Sequence, residues 1–162
     1  MNTLFKYWNN RIKYRFISSN YEMDQVKNFL SDHNLSTDGI EKAITLTARQ
    51  HDEIVGVISL QINNQIGLLK SFFVINKMRS KGIGNKLYKR IINHANIQGI
   101  RQLYLITETA DDYFYRMGFR HLAKNETPEI VKYSYDFMAK CCECARVMNK
   151  ALPLLWTYNP IK

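Results

Sequence analysis

The chain has few cysteines, and their arrangement argues against two common kinds of small protein. Only three occur in 162 residues, at Cys141, Cys142 and Cys144. An odd count without a secretion signal argues against a disulfide framework. The C-C-x-C spacing also lacks the second ligand pair of a structural zinc site. We therefore predict no metal site, although soft thiolates keep an arsenic- or metal-responsive protein open as an alternative function.

Long hydrophobic runs and an export signal are also missing. No apolar run approaches the roughly 18 residues that a membrane-spanning helix needs. The N-terminal stretch MNTLFKYWNNRIKYRF has neither an apolar signal core nor a small-residue cleavage site. The sequence therefore predicts a cytoplasmic protein with no membrane partner.

Acidic residues are in the minority. Asp and Glu number 14 against 23 Lys and Arg, which gives a net charge of +9 at pH 7. Such an excess can serve a nucleic acid, but here the cations are scattered and form no long basic run. A cofactor with three phosphates is an equally good partner for the charge. We therefore predict no nucleic-acid partner.

What the chain does contain is enough apolar material for a folded core. Hydrophobic residues make up 46% and aromatic residues 12% of the sequence, which is typical of a packed globule rather than a disordered chain. The length suits one domain. We predict a single domain over residues 1–162, with its core within about 14–150, and homodimer formation stays open.

One stretch, residues 67–95, organises the prediction. The apolar run GLLKSFFV predicts a buried strand. From Ile83 to Ala95 the apolar residues recur on one face of a helix, with Lys and Arg on the other. Between strand and helix lies R-S-K-G-I-G, residues 79–84. A helix start leaves amide groups unpaired and attracts anions, two glycines allow close approach, and Arg79 and Lys81 add charge. This pattern indicates a pyrophosphate-binding loop.

The flanking segments predict a mixed sheet. Strands joined by short turns imply an antiparallel meander, and the strand that follows the central helix must run parallel to the central strand after a right-handed crossover. The predicted strands lie at 14–17, 44–48, 54–60, 103–107 and 145–152 (the last at an edge), and a further strand or its approach starts at Phe119. The predicted helices lie after Ser19, at 111–117 and from Pro128, the last with apolar positions Ile130, Tyr133, Phe137 and Met138.

Two familiar phosphate loops do not fit residues 79–84. There is no Gly-Lys-Ser/Thr for a Walker-type loop, and the third glycine of the dinucleotide fingerprint is missing. The remaining pattern, R-x-x-G-x-G between a strand and an amphipathic helix, resembles motif A of the GNAT superfamily of N-acetyltransferases. In that family the loop holds the pyrophosphate of acetyl-coenzyme A.

A second motif lies at the expected distance. Residues 110–119, ADDYFYRMGF, are similar to the "A…FYxxxGF" ending of the same family. A narrower likeness, to the amino-acid and arsenic-resistance N-acetyltransferase-like group, rests on LYLITETADDYFYRMGF, on the TPEI segment at 127–130 and on a "C-P-x-S-A…M" segment at 141–148. Cys142 and Cys144 depart from the Pro and Ser of that last pattern.

The resemblance implies a fold and an activity. The fold is an α/β (α+β) GNAT fold: a mostly antiparallel central sheet, a parallel strand pair splayed around the cofactor, and helices on both faces. The activity is acetyl transfer from acetyl-CoA to the amine of a small molecule, an amino acid or analogue. A non-catalytic CoA-binding module is the alternative. The cofactor-binding positions that the resemblance implies are Phe72, Phe73, Val74, Arg79, Ser80, Lys81, Gly82, Ile83, Gly84, Asn85, Thr107 and Phe114.

The catalytic groups are harder to assign. In many GNAT members a tyrosine protonates the departing thiolate, and the resemblance puts Phe114 at that position. Tyr113 and Tyr115 flank it and are the candidate substitutes, although adjacent helix residues point about 100° apart. Glu108 is the first candidate for the base that takes the proton of the ammonium, unless water relays it. Asp111 and Asp112 fit better as acidic residues at a helix start.

Overall fold

The computed structural model describes residues 11–134, 137 and 144–153. These residues form one seven-stranded sheet with the order β1-β2-β3-β4-β5-β7-β6. The strands are β1 Lys13–Phe16, β2 Ile44–Gln50, β3 Glu53–Asn63, β4 Ile66–Val74, β5 Gln102–Thr107, β6 Arg120–Leu122 and β7 Arg146–Ala151. The helices are α1 Asn20–Asp32, α2 Ile83–Ile97, α3 Asp111–Arg116 and α4 Glu129–Lys132.

The sheet has the predicted mixture of strand directions. Strands β1 to β4 pair antiparallel in chain order, whereas β4 and β5 pair parallel. Helix α2 connects β4 to β5, because a parallel neighbour can be reached only by a long crossover. The mixed, mostly antiparallel architecture predicted from the sequence is confirmed.

The start of α1 is fixed by its own side chains. The Ser19 hydroxyl accepts a hydrogen bond from the Glu22 amide at 3.2 Å. The Glu22 carboxylate accepts one from the Ser18 amide at 2.8 Å and pairs with Arg15 at 2.8 Å. The hydrogen bond from the Ser18 amide is the largest cause that lowers the pKa of Glu22, and the positive charge of Arg15 lowers it further. These bonds pair amide groups that a helix start leaves open and hold α1 beside β1.

The helices cover both faces of the sheet. On one face, α2 buries the predicted apolar stripe, and the buried Phe114 of α3 joins the same core. On the other face, Val26 and Leu30 of α1 pack near Val57 of β3, and Val131 of α4 joins a cluster with Leu68 of β4. Neighbouring strand residues point to opposite faces, so each strand contributes to both cores.

Two elements differ from the sequence prediction. Strand β7 is not at an edge, because β6 pairs along its outer side while β5 pairs along the other. Helix α4 is only one turn long and turns Val131 inward, so the predicted apolar positions Ile130 and Tyr133 are 38% and 74% exposed. Phe137 does pack near the Val131 cluster, and Met138 lies outside the described residues.

Strands β4 and β5 are paired at one end only. Their register runs from Ile66–Gln102 to Leu68–Tyr104 and stops there. Just beyond, Ser71 has a left-handed backbone with φ of 51°, and the register between β3 and β4 shifts between Val57 and Ser59. An extra residue of this kind bends a strand and increases its twist. The two strands therefore separate, and the predicted splayed pair is confirmed.

Across the described ranges, no helix combines the length and the apolar character needed to cross a membrane.

Candidate functional site

A cavity of about 690 Å³ opens where β4 leaves β5. The second half of β4, the loop before α2, the first turn of α2 and the start of α3 form its walls. The predicted site residues on these walls are Phe72, Phe73, Val74, Arg79, Ser80, Gly82, Ile83, Gly84, Asn85, Tyr113 and Phe114. Residues that the sequence predicts for one site are thus brought to one place by two separate segments.

The loop before α2 presents an open helix start to this cavity. Gly82 caps α2 with a left-handed backbone, φ of 78° and ψ of 5°, and makes no side-chain hydrogen bond to the first amides. The first-turn amides of a helix have no partner within the helix and carry partial positive charge. A Cβ atom on Gly84 would lie 3.5 Å from the ring of Phe72, so a side chain there would reduce the space. The residues fit a pyrophosphate group.

Arg79 is fixed at the same loop. Its Nε donates a hydrogen bond of 2.9 Å to the Val74 carbonyl. Its guanidinium lies over the Phe73 ring, 5.4 Å from the ring centroid, within the range of a cation–π contact. The side chain is exposed but held by two contacts, so its charge stays beside the cavity.

The α3 wall combines a packing residue with a polar one. Phe114 is 8% exposed and its ring lies 6.1 Å from that of Phe72 and 5.8 Å from that of Phe119. The Tyr113 hydroxyl reaches across the cavity to within 3.5 Å of the Cβ position of Gly84. Burial raises the pKa of Tyr113. Tyr113 therefore keeps its proton at neutral pH.

Four predicted site residues do not line the cavity. The Lys81 ammonium lies 3.7 Å from the Met78 sulfur, on the other side of the loop. The Thr107 hydroxyl accepts a hydrogen bond from the Ala110 amide at 3.0 Å, which closes the turn after β5. Glu108 is exposed on that turn.

Tyr115 is the fourth of these residues. It is 53% exposed and lies 4.2 Å under the Arg120 guanidinium. The structure therefore differs from the prediction of Tyr115 as a proton donor, because side chains at neighbouring helix positions point in different directions.

Asp111 and the cysteines have other surroundings. Asp111 forms an ion pair with Arg146 and lies 3.6 Å from the His121 ring, which fits the structural interpretation of a helix-start carboxylate.

Cys144 is disulfide-bonded, whereas the odd cysteine count argued against such bonds. Cys141 and Cys142 lie outside the described residues. Within the described part of the chain, no group of His, Cys, Asp and Glu side chains could hold a metal ion.

The sequence prediction missed three cavity residues, Met78, Thr109 and Ala110. Met78 is buried at 6% exposure and supports the loop from below. Thr109 and Ala110 form the turn between β5 and α3. Ala110 opens the second motif, so it could have been found from the sequence, whereas Met78 gives no signal beyond being apolar.

The split parallel strand pair that opens toward an uncapped helix start is the arrangement that the resemblance to the GNAT superfamily predicts. A family model described as "Acetyltransferase (GNAT) domain" matches residues 17–131. The chain belongs to this family of acetyltransferases, and acetyl-CoA is its co-substrate. No curated protein matches the chain by sequence.

Solved structures share the fold at low sequence identity. A GNAT-family acetyltransferase from Staphylococcus aureus MU50 aligns with a TM-score of 0.67 and 22% identity, over 88% of this chain and 100% of its own. N-acetylglutamate synthase from Neisseria gonorrhoeae, complexed with coenzyme A and N-acetyl-glutamate, aligns with a TM-score of 0.70 and 17% identity, over 88% of this chain and 35% of its own. A Mycobacterium tuberculosis protein in complex with CoA and NLQ aligns with a TM-score of 0.68 and 15% identity, over 87% of this chain and 99% of its own.

Proposed function

We propose that this acetyltransferase moves the acetyl group of acetyl-CoA to the amine of a small acceptor, an amino acid or analogue. The carrying observation is the cavity between the separated ends of β4 and β5, with the uncapped start of α2 on one wall and the Tyr113 hydroxyl on another. The non-catalytic module remains the alternative that the experiment below must exclude.

The second half of β4 would hold the pantetheine arm. Its inner edge pairs with β3, as Phe73 with Val57 and Val74 with Gly56, but its outer edge has no register with β5 beyond Leu68. Backbone N–H and C=O groups along a strand edge need partners. The two amides of pantetheine offer them, so the arm would add to β4 like a short strand.

The loop and the first turn of α2 would hold the pyrophosphate. Ser80, Gly82, Gly84 and Asn85 line the cavity there, and the open amides of α2 favour an anion. Arg79 adds a full charge that its two contacts keep in place. With arm and pyrophosphate fixed, the thioester would lie between β4 and α3.

The reaction joins the acceptor nitrogen to the thioester carbonyl carbon and breaks the carbon–sulfur bond. Holding both reactants together contributes several kcal/mol to lowering the barrier. The departing thiolate needs a proton, and the Tyr113 hydroxyl on the cavity wall, whose pKa burial raises so that it stays protonated, would supply it. The acceptor ammonium must first lose a proton. Water would carry it, with the exposed Glu108 on the adjoining turn as its acceptor.

The acceptor class is tested by measuring thiol release from acetyl-CoA against a panel of amino acids, polyamines and arsenical analogues. The gonococcal relative was solved with N-acetyl-glutamate, which is a reason to begin the panel with amino acids. Release with an amino acid, together with an acetylated product of the right mass, is the expected result. Tight CoA binding without release for any acceptor would instead favour the non-catalytic module.

A first prediction concerns Tyr113. The Tyr113→Phe variant should lower kcat by about tenfold with little change in the KM for acetyl-CoA, because it removes a proton donor and keeps the ring. Tyr115→Phe is the matched control, since that hydroxyl lies away from the cavity, and it should keep the parent kcat. Equal kcat values for the parent and Tyr113→Phe would show that the thiolate leaves without help from this residue.

A further inference from the structure

One lysine of β7 occupies a position that faces the core. Met148 and Leu152 lie two residues before and after Lys150, and alternate residues of an extended chain share a face. Both neighbours belong to the core under α2, where they are 0% and 5% exposed. An apolar residue is the ordinary choice for such a position. The cation found there must be explained by its contacts.

The Lys150 ammonium is held by neutral groups. Its Nζ donates hydrogen bonds to the Tyr88 hydroxyl at 3.1 Å and to the Met117 main-chain carbonyl at 2.8 Å. It also lies 5.5 Å from the centroid of the Tyr88 ring and 5.9 Å from that of the Phe119 ring, within the range of cation–π contacts. Among the described residues, none of the salt bridges includes Lys150.

These surroundings are unfavourable for a positive charge. Burial lowers the pKa of Lys150, and a partly buried ion without a counter-ion costs free energy. The chain nevertheless keeps the space for it. Gly118 has a left-handed φ of 92°, and a Cβ atom there would lie 3.3 Å from both Cε and Nζ of Lys150. Sequences depart from the pattern of their fold mainly at functional sites, so Lys150 fits a functional role better than a packing role.

The two oxygens that Lys150 contacts belong to the two helices on the cavity wall. Tyr88 lies on α2 one turn after Gly84, and Met117 caps the end of α3. At the start of α3, the Tyr113 hydroxyl lies 3.5 Å from the Cβ position of Gly84. Helix α3 is therefore held beside α2 at both ends, by Tyr113 at its start and through Lys150 at its end.

Helix α3 depends on such contacts for its position. It has only six residues, and a helix of that length is not stable without tertiary contacts. The residue before it, Ala110, supplies no side-chain hydrogen bond to its first amides. Burial, with a smaller contribution from the Tyr113 phenol, raises the pKa of Tyr88 to about 12. The Tyr88 hydroxyl therefore stays protonated and neutral as a partner for Lys150.

We propose that Lys150 is a positioning residue for acetyl transfer: it holds the end of α3 against α2, so that the Tyr113 hydroxyl faces the thioester. This inference rests on the proposed function, in which Tyr113 gives its proton to the departing thiolate. A misplacement of about 1 Å can lower a rate by about a hundredfold, so a contact that fixes α3 should affect kcat. CoA would be held by β4 and the loop before α2, so its binding should not depend on Lys150.

The test starts with Lys150→Met, which keeps an unbranched side chain and removes the ammonium. Thiol release from acetyl-CoA should show a kcat about tenfold below the parent value, and calorimetry a CoA dissociation constant within about threefold of it. The Tm should stay within about 4 °C of the parent Tm, because the loss of two hydrogen bonds is offset by no longer burying an ammonium. Lys89→Met is the matched control: it removes the same charge from the exposed residue next to Tyr88 and should keep the parent kcat.

A double variant separates positioning from general support of the fold. In Tyr113→Phe/Lys150→Met, kcat should stay within about twofold of that of Tyr113→Phe alone, because no hydroxyl is left to position. A residue that only supports the fold would lower kcat by the same factor in both backgrounds. Tyr88→Phe removes one of the two acceptor oxygens and keeps the ring, so it should lower kcat by about threefold. It replaces Lys150→Met in the test if that variant does not fold.

Contrary outcomes are distinct. A parent kcat in folded Lys150→Met, or in Tyr88→Phe where the first variant does not fold, overturns the inference and leaves the proposed function standing. A further tenfold loss in the double variant also overturns it, because Lys150 would then act independently of Tyr113. A parent kcat in Tyr113→Phe overturns it as well, since Lys150 would have no proton donor to position. A parent protein that binds CoA but releases no thiol with any acceptor overturns the proposed function itself, and the inference with it.

Discussion

The two ends of strand β4 behave differently although they belong to one continuous strand. At the first end, Ile66, Gly67 and Leu68 pair with β5, and the side chains of Leu60, Ile100 and Leu103 surround Gly67. At the second end, Phe72, Phe73 and Val74 have no β5 partner and face a cavity. The closed end holds the sheet together, and the open end is available to a ligand.

A glycine and a bulge account for this difference. A Cβ atom on Gly67 would lie 2.8 Å from Leu60 Cδ1 and 3.0 Å from Leu103 Cδ2, so only glycine allows the closed end to pack this tightly. At Ser71 the left-handed backbone bends the strand away from β5. Side-chain packing therefore accounts for the close pairing at the first end of β4, and backbone geometry accounts for the separation from β5 at the second.

The largest expected effect comes from a variant that disrupts the packing at the closed end of β4. Gly67→Ala should lower the free energy of unfolding by about 2 kcal/mol, because the added methyl group overfills a packed site. A thermal melt should show a Tm lower by about 5 °C. The CoA affinity of the folded protein should stay at the parent value, since the open end is untouched. An unchanged Tm would show that β4 and β5 can adjust at this point.

A second variant fills the open end. Gly84→Val should weaken acetyl-CoA binding by at least tenfold, about 1.4 kcal/mol, because its methyl groups enter the space between Phe72 and the Tyr113 hydroxyl. Gly82→Val is less informative, since its positive φ would add backbone strain. Calorimetry measures the affinity and a melt checks the fold.

The graded control is Gly84→Ala. Its Cβ atom makes only ordinary contacts at 3.5 Å, so its affinity should fall between those of the parent and Gly84→Val. Parent affinity in a folded Gly84→Val protein would mean that the ligand does not pass this position.

How much of this comparison could be predicted depends on whether a feature is local. The β4 strand, the α2 stripe and the glycine loop follow from periodicity and turn chemistry, and the structure confirms them. The direction of Lys81 does not follow from the sequence, because a loop residue can turn to either side; in the structure its ammonium lies beside the Met78 sulfur. The interior position of β7 depends on its pairing with β6. The sequence pattern of such a short strand does not show which neighbour it pairs with.

The smallest expected effect comes from Phe114, and it tests whether this residue of the open end serves packing or catalysis. The resemblance puts Phe114 where many GNAT members have tyrosine, but its ring is buried between Phe72 and Phe119. Phe114→Tyr should change kcat by no more than about twofold, well under the 1.4 kcal/mol of a tenfold effect, because the Tyr113 hydroxyl already reaches the cavity. Steady-state kinetics with the acceptor found in the thiol-release screen measures this. The double variant Tyr113→Phe/Phe114→Tyr is the control, and recovery of the parent kcat in it would show that either position can supply the proton. A rise in kcat of tenfold or more in the single variant Phe114→Tyr would instead show that thiolate protonation limits the parent enzyme.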